Sequence, residues 1–127
     1  MGRGARNRRH RAFRCVIYYS RKDKCWVAHS LDLDQIGTGD CVLDALVGLL
    51  RAVDHVYHYA QKDPSLCVYR DAPDSVWDMF KTAQQLPGEI FEIAHKIVHH
   101  TWPEDIHADF DTKKNQKFKH QLKPAMA

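Results

Sequence analysis

A small α+β domain is the fold class that this 127-residue sequence predicts. We expect a three- or four-stranded, mainly antiparallel sheet with one long helix packed on it, plus two C-terminal helices. Three observations lead there. Two β-prone runs, Phe13 to Ser20 and Cys25 to Ser30, flank the polar tetrad Arg21-Lys22-Asp23-Lys24, which is the pattern of a hairpin. From Val42 onward, apolar residues recur at 42, 46, 49, 50, 53, 56, 57 and 60, the spacing of a helix with one broad buried face. Between hairpin and helix stands Gly37-Thr38-Gly39-Asp40, read as a turn in which the glycines let the chain reverse and Asp40 caps the helix start.

The elements follow in order. Residues 1–12 are rich in glycine and arginine with almost nothing to bury, so a disordered basic arm is expected. In the first strand Phe13, Cys15, Ile17 and Tyr19 share one side; Arg14, Val16, Tyr18 and Ser20 share the other. Gln35 to Thr38 can form a short third strand. The long helix spans about 41–62 and stops before Asp63-Pro64, because a residue preceding proline avoids helical geometry. Leu66 to Arg70 reads as an edge strand. Ser75 and Asp78 stand at capping-box spacing ahead of a helix carrying Val76, Trp77, Phe80 and Ala83, and Pro87-Gly88 breaks it. Ile90, Phe91, Ile93, Ala94, Ile97 and Val98 mark a third helix, with acids at its start and Lys96, His99 and His100 at its end. Residues 13–103 thus form one domain (a core over 13–70 and a helical extension over 74–101), and 104–127 a flexible basic tail.

Residues 1–14 carry six arginines and no acid, and residues 111–127 five lysines and one aspartate. The body between them holds 8 basic and 15 acidic residues. An acidic globule with two basic ends invites different partners for each part. No apolar run approaches the roughly 18 residues of a membrane span, so no membrane role is expected. The four cysteines contain no C-x-x-C pair, which argues against a zinc ribbon and suits reduced thiols in a cytoplasm.

Leu33-Asp34, Gly39-Asp40, Asp44-Ala45-Leu46, Leu49, Ala52 and Val53 stand in the order of the HicB-like antitoxin family, which the chain resembles over about residues 13–62. Cys41 stands where that family has a capping threonine, and Asp44 where it has glutamate. The resemblance implies a truncated RNase-H-like fold in a non-catalytic, cytoplasmic, homo-oligomeric protein. Such a protein neutralises a small basic ribonuclease toxin and needs no cofactor. Many relatives add a DNA-binding module; here the two helices of 75–101 show neither a third helix nor a basic recognition face.

Asp32, Asp34 and Asp40 cluster at the loop ending the sheet and are the candidate contacts for a basic protein partner. Asp32 and Asp34 with a histidine could instead hold a metal in a nuclease-like enzyme, the alternative reading. A calcium loop opening at Asp32 fails, since Ile36 and Leu43 fall where oxygen ligands belong. His55 and His58, and His95 and His99 with Glu92, sit at helical metal-ligand spacings but supply too few ligands singly. Cys41, at a helix start, could have a lowered pKa, yet no base is placed for it. Arg3, Arg6, Arg8, Arg9 and Arg11 are candidate phosphate contacts for nucleic acid; a purely solubilising role fits them equally.

Overall fold

In the computed structural model, residues 13–63, 65, 69–99 and 113–122 are described. The expected arm, with its five candidate arginines, lies outside them, as do Leu66 to Val68 and the stretch 100–112. The order is β1 (Phe13–Ser20), β2 (Cys25–Ser30), β3 (Ile36–Gly39), α1 (Val42–Lys62), α2 (Asp74–Thr82), β4 (Gln84–Gln85), α3 (Gly88–Val98) and β5 (Phe118–Leu122). They make an α+β fold on one five-stranded sheet of order β3-β2-β1-β5-β4. Every pairing is antiparallel except β4 with β5.

Alternation along β1 sorts the core onto two faces. Cys15 and Ile17, both without solvent exposure, join Trp26, Ala28 and Phe118 under α1 and α3. Val16 and Leu31 lie on the opposite face, covered by Val76 and Trp77 of α2. In α1, Leu46, Leu49 and Val53 are buried on the sheet side. The apolar spacing therefore did describe the face that packs. Beyond Val53 the helix runs past the core, and Tyr57 and Tyr59 are exposed.

The glycines of β3 have a different task from the one expected. Neither has a positive φ, so no reversal requires them. A Cβ on Gly37 would stand 2.0 Å from the Leu49 amide nitrogen and 2.4 Å from the Ala45 carbonyl oxygen. One on Gly39 would stand 2.4 Å from the Asp44 Cβ. Both glycines exist so that α1 can lie directly on β3. Among the described residues, positive φ occurs at Lys24 and Asp34.

Four further expectations are corrected. Cys41, not Asp40, caps α1: its Sγ accepts from the Asp44 amide at 3.4 Å. Helix α2 begins at Asp74 behind Pro73 with no side-chain cap, so the Ser75–Asp78 capping box does not form. Tyr69 and Arg70 belong to no strand; the Arg70 amide donates to the Asp32 carbonyl at 2.9 Å. Finally, residues 118–122 are not part of a flexible tail. They form β5 beside β1, Phe118 opposite Ile17 and His120 opposite Cys15.

Candidate functional site

Of the acids singled out from sequence, Asp32 and Asp34 sit where β2 turns into β3, while Asp40 lies at the other end of β3, before α1. Ser30 donates its amide to the Gln35 carbonyl at 2.9 Å, and Asp34 donates its own to the Ser30 carbonyl at 3.1 Å. This tight turn forces Asp34 to a φ of 52°, a region that aspartate tolerates better than most residues. The segment around Arg70 to Ala72 then lies against it, the Ala72 amide donating to the Leu31 carbonyl at 2.9 Å.

Asp32 is not on the surface. It is 4% exposed and held in a two-pronged pair with Arg14 of β1, Nε to Oδ2 at 3.0 Å and Nη2 to Oδ1 at 2.5 Å. The guanidinium also lies over the Trp77 ring, 4.9 Å from its centroid. Asp34 is half-buried and meets the buried His29, Nε2 to Oδ1 at 2.7 Å, with Arg70 Nε 3.9 Å from its other oxygen. Only Asp40 of the three is exposed. The expected acidic contact loop is thus reduced to one member, and Arg14, counted with the basic arm by sequence, is instead a buried strut.

This geometry removes the support for a nuclease reading. A carboxylate whose two oxygens both accept from one guanidinium edge has fewer lone pairs left for a metal ion. Among the described residues no three histidine, cysteine, aspartate or glutamate side chains come together as a ligand set. His55 and His58 are exposed on α1. His95 and His99, also exposed, lie with ring centroids 4.3 Å apart and planes tilted by 45°. Nor is Cys41 activated. Burial pushes its thiol pKa up, against the expected lowering at a helix start, and His29 is engaged by Asp34. Cys15, fully buried, is pushed up to about 12 for the same reason.

What the sequence did not single out is the outer edge of β3. Ile36 is 51% exposed on a strand that, among the described residues, has no neighbour on its far side. Asp40 and Asp44, both exposed, stand where the strand passes into α1. An apolar side chain, an open row of backbone groups and two carboxylates make a surface able to take up a basic polypeptide. Ile36 could have been found by its alternation with Gly37, since the helix occupies the glycine side.

A second feature is an open depression of about 480 Å³ beside α3, lined by Gly88, Phe91, Glu92, His95, Lys96 and His120. His120 stacks on Phe91 with centroids 4.0 Å apart and planes 12° apart. Its carbons line the depression, while both ring nitrogens are buried with no partner among the described residues. Desolvation of the charged ring lowers its pKa from the ordinary 6.5. The unfolded chain therefore takes up the proton first, so stability is constant above about pH 6.5 and falls as pH drops through that value toward the folded one. Replacing His120 with Phe should flatten the decline of Tm between about pH 7 and 5. A decline as steep as the parent's would place the acid sensitivity elsewhere.

No helix among the described residues is long and apolar enough to cross a membrane. In comparisons with protein-family models, curated proteins and solved structures, none matches this chain.

Proposed function

We propose that the protein is a non-catalytic, HicB-like antitoxin or an orphan relative, binding and neutralising a small basic ribonuclease toxin in the cytoplasm as a homo-oligomer. The observation that carries the reading is the state of the sheet-end acids. Asp32 and Asp34 are bonded to Arg14 and His29, whereas Asp40 and Asp44 are exposed where β3, which begins at the exposed Ile36, passes into α1. Metal-assisted hydrolysis of a phosphodiester by these aspartates needs them available as ligands; capture of a basic protein needs an apolar anchor and an acidic rim. Consecutive β1, β2, β3 and α1 also agree with the resemblance, which runs through β3 and α1 without a gap.

The test is a search of the neighbouring reading frames for a short basic protein, followed by its coexpression with this chain. Rescue of growth and a stable complex are the expected results. Failure of both would overturn the antitoxin reading. Within such a complex, Asp40→Asn combined with Asp44→Asn should slow association at low salt and converge with the parent at high salt, because rim charges act on encounter. Ile36→Asp should instead speed dissociation by about tenfold or more, since it removes the anchor. Parent-like kinetics in both variants would exclude the β3 edge as the contact.

A further inference from the structure

Charges from opposite ends of the chain meet at one end of the sheet. The turn joining β1 to β2 holds Arg21, Lys22 and Lys24, all exposed. Strand β5 runs antiparallel to β1 with Phe118 opposite Ile17, so the residues leading into β5 continue toward that same turn. Their course is fixed by two hydrogen bonds. The Gln116 amide donates to the Lys113 carbonyl at 2.9 Å, and the Lys113 amide donates to Gln116 Oε1 at 2.7 Å. Lys114 Nζ lies over the Tyr19 ring, 4.8 Å from its centroid, one residue before the end of β1. Lys113, Lys114 and Lys117 are exposed.

Six cations are thereby gathered on neighbouring segments, with adjacent strands only about 4.8 Å apart. Asp23 is the one acid within 21–24 and 113–117, and it accepts from Ser20 Oγ at 3.1 Å. Asp40 borders the group on the β3 side, since its predecessor Gly39 pairs with Trp26. Among the described residues, the ion pairs of the fold leave all six cations without a carboxylate partner. Such crowding is repulsive in the free protein and becomes favourable once a polyanion neutralises it. Alongside lies a polar cleft of about 250 Å³ lined by Thr82, Gln84, Asn115 and Lys117, which adds hydroxyl and amide donors. Among the described residues, the exposed large apolar ones, Ile36, Tyr57 and Tyr59, belong to other elements.

We propose that this end of the sheet is a nucleic-acid-binding surface that grips the phosphodiester backbone without reading sequence. Spaced cations with neutral donors are what sugar–phosphate contacts require, whereas a membrane-docking surface adds apolar side chains for insertion. The proposal stands independently of the antitoxin reading. It also differs from binding through the arginine arm, because these lysines and Arg21 are held by the fold.

The test is fluorescence anisotropy of the full-length chain with a labelled DNA duplex of about 20 base pairs and a single-stranded RNA of similar length, from about 50 to 200 mM salt. Two charge-reversed doubles are compared, Lys22→Glu with Lys24→Glu and Lys114→Glu with Lys117→Glu. The exposed Lys62→Glu on α1 serves as control, and melting curves verify folding. Each double should weaken binding about tenfold or more at the lowest salt and reduce the slope of log K against log salt by about 2, while the control follows the parent. The loss should be alike for unrelated sequences. Parent-like binding by both doubles, no binding by the parent, or binding to phosphatidylglycerol vesicles in place of nucleic acid would each overturn the proposal.

Discussion

Gly37→Ala should fail to fold, or fold with a loss of about 3 kcal/mol or more, which is at the upper end for overpacked sites. The new methyl group would meet backbone on every side: the Leu49 amide at 2.0 Å, the Ala45 carbonyl at 2.4 Å and the Gly48 carbonyl carbon at 2.5 Å. Flexible side chains give way to such a group, but a hydrogen-bonded helix backbone does so only by lifting as a unit. Lifting α1 from β3 would open the core that Leu46 and Leu49 close. Gly48→Ala is the matched control. It stands on the same contact from the helix side, yet its Cβ would find its nearest neighbour, Gly37 Cα, at 3.4 Å. It also gains helix propensity, worth up to about 1 kcal/mol. Chemical denaturation should therefore show a large loss for Gly37→Ala and little or none for Gly48→Ala. Equal losses would mean that the helix does not rest on β3 at this closeness.

How far the chain could be read from its residues varies with the range of the force involved. The hairpin, α1 and the break at Pro87-Gly88 rest on local periodicity and backbone sterics, and they stand within a few residues of the expected bounds. Strand β5 was missed because Lys119 and Gln121 dilute its composition. Its pairing to β1 is a contact between the two ends of the chain, which no local pattern encodes. The alternation of Phe118 and His120 with Lys119 and Gln121 was the available signal. Asp32 was misplaced for a related reason. Aspartates in a loop are usually solvated, and only the fold brings Arg14 across from β1 to bury one. The same long-range assembly created the basic end, since Lys113, Lys114 and Lys117 looked like a tail until β5 fixed them beside the hairpin turn.

Asp32→Asn should destabilise the protein by about 3–5 kcal/mol, the range for breaking a buried ion pair by neutralising one partner. Native domains hold only about 5–15 kcal/mol in total, so the variant should melt far below the parent. Arg14 would keep its charge, enclosed by Trp77 and the sheet, with one neutral oxygen where two charged ones had been. Asp34→Asn is the contrasting change. Asn tolerates the left-handed backbone at this position, the side chain is 25% exposed and its loss affects a single close bond to His29. About 1 kcal/mol is expected there. Replacing both members of the buried pair, Arg14→Met with Asp32→Leu, should recover most of the single-variant loss, because no desolvated charge is then left behind. The set also discriminates between functions. An Asp32 that serves as a strut gives this steep, mutually compensated pattern and a melting temperature indifferent to millimolar magnesium. An Asp32 that serves a nuclease would tolerate Asn with little loss of stability, and the parent alone would be stabilised by the metal.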